Sequence, residues 1–523
     1  MMNRRNLLQL LAASTAMTAV SRLSPVFAQE ADARPALRVA VQAMAPTLEP
    51  LNSISNVGLR AIDLMFDRPS VRDFKAEAEA PGQQIIVPQL AESVTRIDPM
   101  TWEIKIRPNV KLHDGSVLSG ADFAATFSPS RIGADTPYPE GKILFGHVAE
   151  VVTVNDLTVQ LKTSRPDPIM DQRLAAYGGW IVGAKALAEG GPESPKTNPV
   201  GAGPYKLNEF VADTRVVFDS HDDYWMGMPA AKSVSIEVVP EAATRVAGVI
   251  SGEYDIVTNL LPGQISQFDG YDDVEVISVP LDLLHAYFYD TKSAVLSDVR
   301  MRQALNYGID YDMLGQAVWG GPVNRPNGLQ TPAFGDLYNP DRTFFNYDPE
   351  KAKALLAEAG YAGEEIVLRI ISGYYVGSED AAQIVQAMWS ELGINLRLEL
   401  VENAEQVYGP GADIRMVSAA FRFPDPLGGG VIVAFGPNSA PQQRGYWTPT
   451  NGYNETGEEL LAAENPAERK RLFQKMLDLF EEDAPATILY AANEIYAKRK
   501  AVTFTHYPLY YFDLRPTNFG FAD

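Results

Sequence analysis

Residues 419–426 carry two charged side chains, Arg422 and Asp425, in an otherwise apolar stretch. An arginine guanidinium is a fixed cation whose planar fork pairs with a carboxylate or a phosphate through two parallel hydrogen bonds. Arg422 could therefore hold an acidic or phosphorylated ligand, with Phe421 and Asp425 beside it. The alternative is that Arg422 pairs with Asp425 and braces the loop, because neighbouring opposite charges commonly satisfy each other.

Aromatic side chains are the second group that could contact a small molecule, since flat rings stack on sugars and on apolar ligand parts. These candidates are Tyr177, Trp180, Tyr287, Tyr446 and Trp447. Asn56, with Asn52 and Ser55 in the same polar loop, could supply hydrogen bonds. For the rings, packing in the core is an equal alternative, and the loop residues could be simple turn formers.

Residues able to perform catalysis or bind metals form no recognisable constellation. None of the five histidines has another histidine three or four positions away, and cysteine is absent, which excludes disulfides and thiolate metal sites. A phosphate-binding loop, a nucleophile elbow and a His-Glu-x-x-His motif are all missing. His113 beside Asp114 could be interpreted as catalytic, but a role in a turn is the favoured interpretation. We predict no catalytic residue, no metal and no cofactor.

The totals are those of an ordinary soluble globular protein, and they disfavour a protein that binds nucleic acid or an anionic membrane surface. A chain of 523 residues is too long for a single hydrophobic core, so we predict two or three domains. The formal net charge of −22 would repel nucleic acid and anionic lipid. The net charge does not identify a ligand.

Residues 1–28 have the composition of a cleaved export signal. Arg4 and Arg5 are followed by an apolar stretch too short to span a bilayer, and small residues precede a cleavage point at Ala28. The start is similar to a twin-arginine signal, with Asn3 and Leu7 departing from the pattern, so Sec export is the alternative. An N-terminal lipid anchor is excluded because cysteine is absent. We predict release into the periplasm of a Gram-negative cell.

A segment rich in proline and glycine marks a tight crossing of the backbone between the elements on either side of it. This segment is Asn-Pro-Val-Gly-Ala-Gly-Pro-Tyr at residues 198–205. Two prolines and two glycines cannot form the interior of a helix or a central strand, but they suit a tight, defined turn of the backbone. A glycine- and proline-rich surface loop is the alternative.

Other elements follow from alternation and capping signals. Trp102, Ile104 and Ile106 predict one face of a strand, and Ser119 can cap a following helix. We also expect helices after Glu241, Asp298 and Asp348, and a parallel βαβ unit over residues 366–401. Strands are expected at 279–289 and 487–497, and an aromatic tail at 504–521.

Several of these motifs together resemble one family. The order comprises a strand, Arg-Pro-Asn-Val-Lys-Leu-His-Asp-Gly at 107–115, Pro-Val-Gly-Ala-Gly-Pro-Tyr at 199–205, Tyr-Trp-Met-Gly-Met-Pro at 224–229, Ser-Gly-Glu-Tyr-Asp-Ile at 251–256, and Asp-Val-Arg-Met-Arg-Gln-Ala-Leu-Asn-Tyr at 298–307. This order resembles the extracytoplasmic solute-binding proteins of ABC transporters, in the peptide and nickel family (solute-binding protein family five). The resemblance covers essentially the whole chain after the signal.

The resemblance implies an α/β fold, namely a two-lobed periplasmic binding protein of type II, similar to cluster C, with a two-strand hinge. The implied division is a signal at 1–28, an inserted subdomain at 66–199, a second lobe at 283–494, and a first lobe formed by 29–65, 200–282 and 495–523. It also implies a monomer that binds a small-molecule solute and an inner-membrane ABC permease.

In the peptide-binding relatives an aspartate at the position of Arg422 holds the ligand's α-ammonium group. An arginine there argues against ordinary peptides and favours an acidic, phosphorylated or sugar-containing solute. Dipeptide, oligopeptide and nickel-chelate binding remain alternatives within the family. A secreted hydrolase of glycans or peptides, and a ligand sensor without a transport role, are the alternatives from other classes.

Overall fold

The computed structural model describes residues 32–45, 47–52, 57–80 and 83–522, and all its helices and strands lie in the unit Pro35–Asp523. The strands are β1 (Ala36–Val41), β2 (Ser70–Arg72), β3 (Ile86–Pro88), β4 (Ala91–Asp98), β5 (Thr101–Ile106), β6 (Val148–Asn155), β7 (Thr158–Thr163), β8 (Tyr205–Val211), β9 (Arg215–Ser220), β10 (Ser233–Val238), β11 (Ile256–Val257), β12 (Val274–Tyr289), β13 (Ile366–Ile371), β14 (Leu396–Val401), β15 (Ile414–Ala420), β16 (Ala486–Arg499), β17 (Val502–Phe504) and β18 (Phe519–Phe521).

The helices are α1 (Gly58–Met65), α2 (Phe74–Glu79), α3 (Gly120–Thr126), α4 (Pro129–Ile132), α5 (Pro139–Phe145), α6 (Met170–Ala175), α7 (Ala184–Gly190), α8 (Ala242–Ser251), α9 (Val299–Tyr307), α10 (Tyr311–Trp319), α11 (Pro349–Ala359), α12 (Ser378–Glu391), α13 (Ala404–Val407), α14 (Ala440–Gln443), α15 (Tyr453–Ala462) and α16 (Pro466–Asp483). Short 3₁₀ helices occupy Ser194–Lys196, Pro262–Phe268, Pro332–Leu337 and Pro426–Gly428, and a π turn occupies Gly430–Ala434. No helix among the described residues is both long and apolar enough to cross a membrane.

A ten-stranded sheet runs in the order β14-β13-β15-β12-β16-β11-β1-β10-β9-β8. The long antiparallel strands β12 and β16 form its middle, and their pairing shifts register between Pro280 and Leu284. On one side of the shift β16 pairs with β11, and on the other β12 pairs with β15. The group β13 to β15 and the group β1 and β8 to β11 are therefore joined through β12 and β16. These two long strands contain the segments 279–289 and 487–497 that were predicted to be strands.

Local signals predicted the ends of several helices correctly. Asp298 accepts a hydrogen bond from the Arg300 backbone N–H at the start of α9, and Asp348 does the same for Lys351 at the start of α11. Helix α11 ends at Gly360 in the left-handed region. Strands β13 and β14 are parallel with α12 between them, so the βαβ prediction is confirmed.

A second, four-stranded antiparallel sheet has the order β4-β5-β7-β6. The predicted apolar face of β5 is buried: Trp102, Ile104 and Ile106 all lie in one hydrophobic core cluster. The following helix α3 is capped as expected, with the Asp122 carboxylate accepting the Ser119 backbone N–H at 2.8 Å.

The Gly-Pro segment before β8 is a buried crossing, so the surface-loop alternative is wrong. A Cβ atom on Gly201 would lie 2.4 Å from the Met65 carbonyl oxygen, and one on Gly203 would lie 2.4 Å from the Met65 carbonyl carbon. The Gly203 N–H donates to the same Met65 oxygen at 3.0 Å. Glycine is needed here because the backbone at the end of α1 leaves no room for a side chain.

Candidate functional site

Arg422 stands just beyond the end of β15, at a sharp turn of the chain. Its backbone N–H donates to the Gly428 carbonyl at 2.7 Å, which folds residues 422–428 back on themselves. Gly428 lies against the ring of Phe423, and a Cβ atom there would come within 2.6 Å of that ring. The close packing of Gly428 against Phe423 leaves no room for a side chain at position 428.

The Arg422 guanidinium pairs with Glu140 on α5. Nη2 donates to Oε1 at 2.6 Å and Nε donates to Oε2 at 3.1 Å, so the pair is bidentate across 282 sequence positions. The side chains are 13% and 18% exposed, respectively. Burial alone would lower the pKa of Arg422, but the Glu140 carboxylate outweighs it and raises the pKa, which keeps the guanidinium charged.

The Arg422–Asp425 ion pair considered from the sequence does not form. Asp425 is buried and accepts a hydrogen bond from Arg469 on α16 at 2.5 Å. Its other oxygen accepts the Leu427 N–H at 2.9 Å. The extended backbone at Asp425 (φ −138°, ψ 149°) directs its carboxylate away from Arg422 and toward α16.

Three cavities include Arg422 in their lining. We name them by what borders them: the inner cavity (about 160 Å³), the tail-side cavity (about 310 Å³) next to residues 507–517, and the helix-side cavity (about 490 Å³) next to α5. The volumes of the tail-side and helix-side cavities suit a small organic molecule, for which pockets of about 300–1,000 Å³ are usual. Arg422 therefore borders all three cavities.

The inner cavity combines aromatic rings with a few polar groups. It is lined by Tyr177, Asp282, Tyr375, Ser418 and Tyr510, in addition to Arg422. Asp282 lies between the two paired parts of β12 and accepts a hydrogen bond from Arg72 on β2 at 2.7 Å. The cavity wall thus includes a paired carboxylate as well as the paired guanidinium.

The structure supports a position on the cavity wall for one predicted aromatic residue, Tyr177. The Arg422 guanidinium carbon lies 5.4 Å from the centre of the Tyr177 ring. Trp180 is stacked behind Tyr177, with ring centres 6.3 Å apart and planes 10° apart, and donates to Asp63 at 3.4 Å. Trp180 therefore supports the wall from the second layer.

Four other predicted contacts face elsewhere, which corrects the expectation that they line the cleft. Phe421, Tyr287 and Trp447 are buried in the hydrophobic cores. Trp447 donates to Asp483 at 2.6 Å, and the Tyr446 hydroxyl donates to the Tyr408 carbonyl at 2.5 Å. Asn56 lies outside the described residues.

Residues 86–440 match the family model described as bacterial extracellular solute-binding proteins, family 5. The match covers well over half of the 523 residues. The chain belongs to this family. The resemblance stated from the motifs is thereby confirmed.

Individual relatives of this family 5 protein support the same assignment. The dipeptide-binding protein of Escherichia coli K12 is 28% identical over 349 residues, which cover 62% of this chain and 65% of that relative. The heme-binding protein A of Haemophilus influenzae is 26% identical over 443 residues, covering 79% of this chain and 77% of that relative. The matched part of the E. coli protein is thus just under two thirds of its length.

A solved structure confirms the fold. The dipeptide-binding protein of Pseudoalteromonas sp. SM9913, in complex with Met-Leu, superposes with a TM-score of 0.82 at 20% identity, covering 93% of this chain and all of that chain. The family 5 protein therefore has the two-lobed periplasmic binding protein fold that the motifs implied.

Sequence reasoning missed most of the polar groups that line the cavities of this family 5 protein. Glu140 and Asp282 stand in segments far from Arg422 in the chain, and only the folded backbone brings them to it. Tyr510 belongs to the aromatic tail, which was expected to pack and does so. The aromatic composition of the tail was the one available signal.

His113, the residue with a possible catalytic interpretation, is a structural residue of the crossing. Its Nε2 atom lies 3.0 Å from the Gly203 carbonyl, and its backbone N–H donates to Gly201 at 3.0 Å. The ring of His221 lies 5.1 Å away and its Nδ1 contacts the same Gly203 oxygen at 3.2 Å. Both imidazoles are used to hold the backbone of the Gly-Pro segment.

The free energy of unfolding should fall as the pH is lowered from about 6.5 to about 4. Burial lowers the pKa of His113, His285 and His506 to about 3 and that of His147 to about 4. In the unfolded chain an imidazole titrates near 6.5, so in this window the unfolded state binds more protons. Each buried histidine should lower the free energy of unfolding by about 1.4 kcal/mol for each pH unit below about 6.5 in this window. Urea unfolding at about pH 7.5, 6 and 5 measures the slope.

His285→Phe is the control for this pH dependence. The ring of His285 packs 5.2 Å from Tyr375 and 5.3 Å from Tyr490, and phenylalanine keeps a ring in that position. In this variant the slope of the free energy of unfolding against pH should be shallower by about 1.4 kcal/mol per pH unit, because one fewer proton is taken up on unfolding. A free energy of unfolding that stays constant from about pH 7.5 to 5 would contradict the prediction.

Proposed function

We propose that this protein is the extracytoplasmic solute-binding component of an ABC importer. It captures a small organic solute in the cleft between its lobes, at Arg422, and delivers it to an inner-membrane permease. The observation that carries the proposal is the position of Arg422, a mostly buried cation that borders three cavities. Membership of family 5 supports the solute-binding class.

We divide the protein at the register shift between β12 and β16. Residues 29–65, 200–282 and 495–523 form the first lobe with its insertion at 66–199, and residues 283–494 form the second lobe. The proposal is supported by the change of neighbouring strands at this point in the sheet. Bending of these two strands would open and close the cleft, and a ligand that contacts both lobes favours the closed form.

The solute carries an acidic group that pairs with Arg422. That group reaches the guanidinium by replacing the Glu140 carboxylate, which makes the same two hydrogen bonds. The bidentate geometry of the Arg422–Glu140 pair supports this replacement, because a ligand carboxylate or phosphate presents the same pair of acceptor oxygens.

A dipeptide is the second candidate within this family. Glu140 and Asp282 bring two carboxylates to the cavity walls, and either could accept hydrogen bonds from a ligand ammonium group. The repulsion between Arg422 and an ammonium group, on which the sequence argument depended, is weakened by the pairing with Glu140. The dipeptide-binding names of two relatives are consistent with this candidate.

The protein acts in the periplasm as a monomer, after export by a signal at residues 1–28. The signal lies outside the described residues, and twin-arginine and Sec export are both compatible with its sequence. Western blots of fractionated cells that lack the twin-arginine translocase would distinguish the two routes.

A thermal-shift screen of residues 29–523 tests the proposed function. The panel contains dipeptides, oligopeptides, sugar phosphates, opine-like acids, oligosaccharides and nickel chelates. A ligand at 100 times its dissociation constant should stabilise the protein by ~2.7 kcal/mol. Stabilisation by acidic or phosphorylated compounds, and not by peptides, supports the role of Arg422. Stabilisation by plain peptides favours the second candidate, whereas consumption of a compound without stabilisation would favour a hydrolase.

A further inference from the structure

The helix-side cavity has an unusual charge for this protein. Its wall includes the cations Lys142, Arg422 and Arg444, whereas Glu140 is the only carboxylate that lines it within the described residues. Glu140 and Arg422 neutralise each other through their bidentate pair. The wall therefore keeps two positive charges, although the whole chain has a formal net charge of −22.

Lys142 and Arg444 make no ion pair with any carboxylate in the described part of the chain. Ion-paired cations lie elsewhere on the surface: Lys353 is 3.0 Å from Glu350, and Arg471 is 2.6 Å from Glu468. In a chain with 66 acidic and 44 basic residues, Lys142 and Arg444 leave the wall of the helix-side cavity with a positive charge that no carboxylate of that wall balances.

The two cations come from different parts of the fold. Lys142 is half-buried on α5, two positions after Glu140, and Arg444 directly follows α14. The Arg444 guanidinium carbon lies 4.6 Å from the centre of the Tyr408 ring, and this cation–π contact limits the positions of its head group. A molecule bound between them would contact α5 on one side and the 433–444 segment on the other.

The neutral part of the wall also suits an anionic organic molecule. Asn438 and Thr136 provide polar groups, while Phe288, Ile143 and Val433 provide apolar surface. A cavity of about 490 Å³ accommodates a charged group together with the carbon skeleton that carries it.

We propose that the helix-side cavity is an anion subsite in which Lys142 and Arg444 hold a carboxylate or phosphate group of the solute. This inference rests on the proposed solute-binding function and narrows the solute to one with a second acidic group beyond the group at Arg422. The two cations attract the anion from solution despite the negative charge of the chain, and they hold it at the end of the solute away from the inner cavity.

Calorimetric titration of citrate and of fructose 1,6-bisphosphate into residues 29–523, at constant ionic strength, tests the subsite. The variant K142Q/R444Q removes both cations, and K353Q/R471Q removes the same net charge from the surface outside the cavity. The first variant should bind the preferred anion at least about tenfold more weakly, because it loses two charge-assisted contacts. The control variant should bind like the wild type. Fructose serves as the uncharged reference.

The two probes distinguish the source of the anion: tighter binding of citrate indicates a carboxylate, and tighter binding of fructose 1,6-bisphosphate indicates a phosphate. Equal affinity of the wild type and K142Q/R444Q, or no binding of either anion to the wild type at about 10 mM, would overturn the subsite. If a dipeptide still raises the melting temperature of both proteins in that case, the solute-binding function survives and only the subsite fails. If no compound of the full screen binds, the proposed function fails as well.

Discussion

Arg422→Ala is expected to weaken the binding of an acidic solute by about 10- to 150-fold. The variant removes a charge-assisted pair worth ~1.5–3 kcal/mol. It also leaves the Glu140 carboxylate without its cation, and that carboxylate then repels the acid from the same cavity. Calorimetric titration with the acidic compound selected by the thermal-shift screen measures the change.

Glu140→Gln separates these two contributions. An amide binds a guanidinium more weakly than a carboxylate does, so the solute's acid should displace the substituted amide side chain more easily and bind about fivefold more tightly. Arg471→Ala is the matched control, because its guanidinium pairs with Glu468 on the exposed surface of α16. Unchanged affinity in Arg422→Ala, together with a lower free energy of unfolding, would mean that Arg422 only anchors α5.

The parts of the fold that the sequence predicted are those decided by neighbouring residues. Helix α11 begins at Asp348 and ends at Gly360 because a carboxylate cap and a left-handed glycine act within one turn. The alternation of Trp102, Ile104 and Ile106 likewise predicted the buried face of β5, because successive side chains of a strand point to opposite faces. The Gly-Pro segment could be recognised as a crossing, but its partner, the end of α1, could not be identified.

The partner of Arg422 could not be predicted because it depends on contacts between distant segments. Asp425, three positions away, was the local candidate, yet its backbone is extended and its carboxylate turns to Arg469. Glu140 follows Pro139 at the start of a short helix, and nothing in that stretch marks it as a cavity residue. Pairing across 282 positions becomes visible only in the folded chain.

Aromatic side chains were equally hard to assign. Tyr177 lines the inner cavity, whereas Tyr287 is fully buried in β12 beside Trp389. Both side chains are tyrosines with a large apolar ring, and burial in a core or on a cavity wall removes that ring from water equally well. Only the position of each ring relative to the cleft distinguishes the two uses.

The largest loss of stability is expected from Arg515→Met. Arg515, near the chain end, donates to Asp63 at 2.9 Å and to Asp67 at 2.7 Å. All three side chains are at most 6% exposed, so the variant would leave two buried carboxylates without this cation. Breaking a buried ion pair from one side typically costs ~3–5 kcal/mol. The free energy of unfolding from urea titrations should fall by that amount.

The second-site variant Asp67→Asn tests whether the loss in Arg515→Met comes from uncompensated charge. An asparagine carbonyl could still accept hydrogen bonds from Tyr224 and Trp225, which donate to Asp67 at 3.0 and 2.8 Å. The double variant should therefore recover part of the stability, because one buried charge has been removed. Arg215→Met, whose partner Glu209 is exposed, should lower the free energy of unfolding far less than Arg515→Met does. Equal losses in Arg515→Met and Arg215→Met would show that the buried network contributes no more than a surface pair. Since Arg515 also lines the tail-side cavity, a loosened tail should weaken solute binding in the same variant.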